Sequence, residues 1–181
     1  MAIEPDTKDW TWVLERTCPE CGFTAAQVPA ADVGSRLRAE LPIWRATMMQ
    51  PWAATRPNDH TWSPMEYACH VRDVATLYAH RLHRMLTEDD PHYPDWSSDD
   101  AAEAGDYASQ EPSVVITELA REVEILAGSF DAVEGDQWER TGQRSDGATF
   151  TIDSFARYLL HDVVHHGWDV TRDRDLQGHH D

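Results

Sequence analysis

An all-α architecture, a four-helix bundle with one long crossover between its second and third helices, follows from three features of this chain. Apolar residues recur at steps of three and four through four separate stretches. Recognisable start signals precede the clearest of them. No stretch alternates with a period of two for a useful length, and neither an internal repeat nor a low-complexity tract interrupts the pattern.

The first helix is marked by Val33, Leu37, Leu41, Trp44, Met48 and Trp52, with Asp32 as its expected N-cap. Pro42 lies within that stripe and removes one backbone hydrogen bond, which predicts a kink or a late start. The second start is the best defined. Ser63-Pro64-Met65-Glu66 offers a capping hydroxyl, a proline at the first helical position and a reciprocal glutamate. Its stripe runs through Tyr67, Val71, Val74, Leu77 or Tyr78, Leu82 and Met85, with His70 adjoining it, and stops at Thr87-Glu88-Asp89-Asp90 before Pro91.

From Thr87 to Gln110 the chain is rich in Asp, Pro, Ser and Ala, with Tyr93, Trp96 and Tyr107 as large apolar anchors, and reads as a long connection. Glu111-Pro112-Ser113 opens the third helix, whose stripe is Val115, Leu119, Val123, Leu126, Phe130 and Val133, with Gly135 its expected end. A polar loop from Arg140 to Ala148 precedes the fourth. There Thr151 is the expected cap, Phe150 staples onto Phe155, and Asp153 sits near the positive end of the helix dipole. Ile152, Phe155, Leu159, Val163 and Val170 form one stripe of that helix, and Tyr158, His161, His165 and Trp168 form an adjacent one.

A chain of 181 residues closes one ordinary core, so one domain is the expectation. Its organisation reads as an N-terminal extension over 1–31, a bundle over 32–174 and a flexible tail over 175–181. Apolar residues make up 41% and charged residues 27%, a globular composition without a membrane span. The N-terminus carries acidic residues where an export signal would be basic, so a cytoplasmic protein is expected. Lys and Arg total 15 against 33 Asp and Glu, a net charge of −18 that repels phosphate backbones and anionic membranes. Neither nucleic acid nor a membrane is an expected partner, and a homodimer is left open.

His161 and His165 stand at i and i+4, on one helical face about a turn apart, where they can share a metal ion. The spacing alone equally suits two polar residues beside a core stripe, and a third inward ligand decides between the readings. His70 is that candidate. The crossover makes the third helix parallel to the second and the fourth antiparallel to it. His70 then lies about 9 Å from its helix start and His165 about 10 Å from its helix end, so the imidazoles share a layer. Three histidines leave coordination positions open, the pattern of a catalytic site. Zinc is the first expectation, with nickel or manganese as alternatives.

The segment Trp62-Ser63-Pro64-Met65-Glu66-Tyr67-Ala68-Cys69-His70, followed later by His161-Asp162-Val163-Val164-His165-His166, resembles the DinB-like superfamily of metal-binding four-helix bundles. That superfamily includes thiol-dependent S-transferases and mycothiol-dependent maleylpyruvate isomerases. The resemblance covers roughly Asp32 to Arg174 and implies a divalent metal on His70, His161 and His165, with a low-molecular-weight thiol as cosubstrate for an electrophilic substrate. The isomerase branch carries an acidic residue at one of the two fourth-helix ligand positions and a further C-terminal domain. Here both positions are read as histidine and the chain ends soon after the bundle, which speaks against isomerase activity.

Trp10-Thr11-Trp12 and Cys18-Pro19-Glu20-Cys21-Gly22 are not required by such a bundle. Cys18 and Cys21 have the spacing of half a zinc knuckle or of a redox dithiol, but no second ligand pair is evident. Reduced, buried thiols are the simpler reading, and a structural zinc would need Cys69 or distant histidines. His161 to His165 also imitates the HExxH zinc-protease helix with Asp162 in place of the glutamate, but aspartate is one methylene shorter, and His179 and His180 fall in the tail. Asp169, at i+4 from His165, is the expected partner of that ligand's outer nitrogen. Trp62, Tyr67, Tyr158 and Trp168 are candidates for an apolar mouth. A metal-dependent thiol transferase leads; a metal-dependent hydrolase and a non-catalytic metal or redox module are the alternatives.

Overall fold

The computed structural model of the chain describes residues 9–177. Its long helices are α1 (Val33–Met48), α2 (Pro64–Thr87), α4 (Pro112–Asp131) and α5 (Ile152–Gln177), with a short α3 (Ser98–Ala104) inside the crossover. Of the expected tail, 175–177 continue α5, and 178–181 with His179 and His180 lie outside the described residues. No helix among the described residues is long and apolar enough to cross a membrane.

The four apolar stripes meet in one core, whose largest fully buried members include Trp44, Leu37, Met65, Leu82, Leu119, Phe130 and Phe155. Helix directions follow from which ends touch. Arg72, early in α2, pairs with Glu118, early in α4, so these neighbours run parallel. Arg38, early in α1, pairs with Glu124 and Asp131, late in α4. Tyr78 stacks on Phe155 near the start of α5, while His70 meets His166 far along it, so α5 is antiparallel to α2 as expected. Gly34 lets α1 approach α4 closely, since a Cβ there would stand 2.8 Å from the Ala127 carbonyl oxygen.

Several local expectations are revised. Asp32 makes no side-chain cap, because residues 30–32 already form a 3-10 turn that runs into α1. α1 starts at Val33 and continues through Pro42, which excludes a late start, and it ends before Trp52. α4 stops at Asp131, and Gly135, at φ +50°, instead opens a 3-10 turn over Gly135–Glu139. The loop from Arg140 to Ala148 supplies one strand and the turn of a hairpin that closes on Thr149–Thr151, so a small sheet joins the bundle. β2 (Thr141–Arg144) pairs antiparallel with β3 (Thr149–Thr151) and parallel with β1 (His92–Tyr93) of the crossover. These strands span two to four residues, too few for alternation to register. Arg140 fastens the sheet to the bundle by donating to the Met85 and Glu88 carbonyls at the end of α2.

Other signals are met atom by atom. Thr151 Oγ1 accepts from the Ser154 amide at 3.1 Å, and Phe150 packs edge-on against Phe155. At the start of α2 the Glu66 amide donates to Ser63 Oγ at 3.2 Å, and Glu66 Oε2 accepts from the Ser63 amide at 2.8 Å. Glu66 is buried and ion-paired with Arg56. Burial raises its pKa, but the Arg56 guanidinium and the Ser63 donors outweigh this and hold it below the usual glutamate value.

Ser63→Ala should lower the unfolding free energy by about 1 kcal/mol, measured by denaturant titration. The ionised Glu66 stabilises the fold above the ordinary glutamate range, and that share is lost as pH falls through its lowered folded-state pKa. The stability gap between wild type and Glu66→Gln should therefore close on acidification.

Candidate metal centre

Two i,i+4 pairs interleave on α5, His161 with His165 and Asp162 with His166, one residue and hence about 100° apart. Val163 and Val170 are buried in the core on this helix, and that orientation turns the two pairs toward different neighbours. Asp162 and His166 face α2. His161 and His165 face the N-terminal segment.

His70 joins the first pair. Ligand atoms of His70, Asp162 and His166 all lie within 4.8 Å of one another. His70 Nε2 stands 3.6 Å from Asp162 Oδ2, and His166 Nε2 stands 3.7 Å from Asp162 Oδ1. The two imidazoles meet edge to face with centroids 4.8 Å apart. Both nitrogens of His70 and Oδ2 of Asp162 are buried without a hydrogen-bond partner among the described residues. Burial lowers the His70 pKa, which favours the neutral, lone-pair-bearing imidazole. For Asp162, burial raises the pKa but the neighbouring His166 and His70 prevail, holding the carboxyl well below its usual range. His166 Nδ1 is 3.0 Å from Asp169 Oδ2, a contact that fixes the ring and turns Nε2 toward the cluster.

The three imidazoles expected to share one ion, His70, His161 and His165, form no such group among the described residues. His161 and His165 gather instead with Cys18 and Cys21, again with all ligand atoms within 4.8 Å. Burial, and then each other's proximity, pushes His161 down to about 4, and burial lowers His165 as well. Asp169 is likewise reassigned: it lies 3.8 Å from His165 Nε2 and makes its hydrogen bond to His166. An acidic residue, read as missing from the α5 pair, stands in the His70 group as Asp162. Two overlapping pairs in one His-rich segment signalled both arrangements, and periodicity alone gave no reason to prefer the inner one.

The His70 cluster opens into a cavity of about 580 Å³, within the usual range for small-molecule sites. On α2 its lining includes Tyr67, His70, Val74, Tyr78 and Arg81, and on α5 Tyr158, His161, Asp162, His165, His166 and Asp169. His70 and Arg81 are eleven residues apart and on one face, so the groove follows α2 for about 16 Å. Trp62, Tyr67 and Tyr158 line it as expected, whereas Trp168 packs against His165 and under Arg172. Trp10, Trp96, Arg81 and Arg144 are further lining residues that the stripes did not disclose. Trp96 lies 5.6 Å from the His70 ring. Arg81 is buried, lies over Tyr93, donates to the Pro94 carbonyl at 2.7 Å and has no carboxylate partner among the described residues. Arg144 pairs with Asp146.

Two imidazoles and a carboxylate within reach of one another, with both His70 nitrogens and Asp162 Oδ2 buried and lacking a hydrogen-bond partner among the described residues, fit a divalent metal ion. Such a set leaves coordination positions for a small molecule, and the carboxylate makes it more hospitable to harder ions than imidazoles alone.

No curated protein matches the chain. Among solved structures it is similar to YfiT from Bacillus subtilis, described as a probable metal-dependent hydrolase with an unusual four-helix bundle topology. The two share 18% identity and a TM-score of 0.67, over 89% of this chain and 91% of that one. At that identity the likeness establishes the fold. The model of the DinB superfamily matches residues 21–170, taking in all four long helices up to Val170 of α5, and the chain belongs to the DinB superfamily.

Proposed function

We propose that this protein is a metal-dependent transferase in which an ion on His70, Asp162 and His166 serves a low-molecular-weight thiol cosubstrate and an electrophilic second substrate. The observation that carries it is the open three-ligand cluster at the wall of a long groove. A divalent ion bound there, zinc by first preference, supplies Lewis acidity that lowers the pKa of a thiol or water entering its free positions.

The chain's own residues provide the rest. Cys69 is poorly suited to serve as nucleophile, because it is buried, hydrogen-bonded to Gln110, and its thiol is pushed up to about 12 by burial. The nucleophile is therefore supplied from solution. Asp169 Oδ2 holds the Nδ1 proton of His166 and keeps the ring turned inward. Trp62 and Trp96 flank His70, whose two nitrogens are buried. Arg81 presents a buried cation about 16 Å along the groove, where it suits an anionic group on either substrate. A groove of that length accommodates two organic molecules end to end, which favours thiol transfer. Such thiols are kept reduced in the cytoplasm, where we place the protein. Hydrolysis is the second reading, favoured by the description of YfiT as a probable metal-dependent hydrolase.

His70→Ala and His166→Ala should each abolish metal binding at this cluster while the far-ultraviolet helical signal survives; full occupancy in either variant would remove the site. Asp169→Asn should weaken the metal about 10- to 100-fold, read by competition with a chelator. Adding mycothiol, bacillithiol or glutathione to cobalt-loaded protein should create a new sulfur-to-metal charge-transfer band that His70→Ala abolishes. An unchanged spectrum with the site loaded would leave the hydrolase reading.

A further inference from the structure

We propose that Cys18, Cys21, His161 and His165 form a second, closed site for a tetrahedral zinc ion that staples the N-terminal segment to α5. It is separate from the His70 cluster and does not rest on the transferase reading.

The donor set comes first. Cys-x2-Cys and a helical His-x3-His are spacings that zinc sites use, and the two halves lie more than a hundred residues apart in sequence yet converge in space. Cys18 Sγ stands 3.7 Å from His165 Nδ1. Zinc bound to sulfur at about 2.3 Å and to nitrogen at about 2.05 Å, with a tetrahedral angle between them, puts those atoms about 3.6 Å apart.

The loop is shaped to present its sulfurs. The Gly22 amide donates to the Cys18 carbonyl at 3.0 Å and the Cys18 amide to the Phe23 carbonyl at 2.8 Å, closing a tight turn. Gly22 makes that turn at φ +75°, which favours glycine. The backbone amide of Phe23 is hydrogen-bonded to the Cys21 thiol.

Burial argues for an ion as well. Cys18, His161 and His165 are 1%, 4% and 8% exposed, and His161 Nε2 is buried without a hydrogen-bond partner among the described residues. A disulfide between the two cysteines would leave that nitrogen as it is. A zinc ion satisfies it, and two thiolates balance the dication, so the filled four-ligand site carries no net charge where it is buried. Trp10 lies over both imidazoles, with centroids 5.6 and 5.2 Å away, and Phe23 lies 5.5 Å from His161. Four protein ligands complete the tetrahedron and leave no position for substrate. The role is structural: the staple holds Trp10 and Glu20 in the wall of the groove.

The test uses the untagged full chain purified under reducing conditions. The His70→Ala protein should retain one tightly bound zinc, and X-ray absorption should give two sulfurs near 2.3 Å and two nitrogens near 2.0–2.1 Å. Wild type loaded with cobalt should show tetrahedral visible bands and a sulfur charge-transfer band with no thiol added. A mercurial should release that one equivalent in step with modification of Cys18 and Cys21, a readout that needs no variant to fold. Cys18→Ser with Cys21→Ser should lose the sulfur signal and keep the His70-site ion. Zinc-free His70→Ala protein with both thiols reduced, a zinc without sulfur neighbours, or an isolated Cys18–Cys21 disulfide would each overturn the proposal. Because the thiol-dependent band of the transferase reading depends on His70 and this signal does not, failure of one is distinguishable from failure of the other.

Discussion

A buried imidazole with neither nitrogen hydrogen-bonded is expensive, since each orphaned polar atom costs on the order of 1–3 kcal/mol in a protein interior. Among the described residues His70 is in that position, with Asp162 Oδ2 alongside it in the same state. Hydrophobic burial alone would have replaced these groups with leucine or methionine. Their retention at the head of a groove, between two tryptophans, is intelligible if the lone pairs have an ion to receive them. Much else at this end of the bundle is arranged around that cluster.

The arrangement starts one turn before His70. Ser63 and Glu66 fix where α2 begins, Arg56 keeps Glu66 ionised in the interior, and His70 follows on the next turn, so a strong local signal sets the depth of one ligand. The depth of the others depends on α5 running back along α2, which the crossover makes topologically available and the stacking of Tyr78 on Phe155 registers at the far end. Asp169 then controls one ring angle. Each step is local chemistry, and together they bring groups from two helices within a few ångströms.

How much of this was legible in the sequence differs by element. The four long helices, the antiparallel relation of α2 and α5 and the capping box could be read, because each rests on periodicity or on chemistry within a few residues. The small sheet could not, since its strands are too short to alternate and its β1–β2 pairing joins segments about fifty residues apart. The sequence reading groups His70 with His161 and His165, whereas the structure gathers it with Asp162 and His166, one residue further along α5. A step of 100° on a helix that is apolar over a wide arc depends on how α1, α2 and the N-terminal segment share that arc, and this is a tertiary property. The same step brings His161 and His165 beside Cys18 and Cys21, for which no second pair is evident while those histidines are grouped with His70.

The interleaving of the two pairs on α5 also makes the helix unusually sensitive to reading frame. Adding or removing one residue between β3 and His161 would turn the segment by about 100° and advance it by about 1.5 Å. That change would bring a histidine pair opposite His70, or carry an aspartate toward the two thiols, without altering the composition of the helix. Length changes inside the helix would therefore recast which chemistry each face presents.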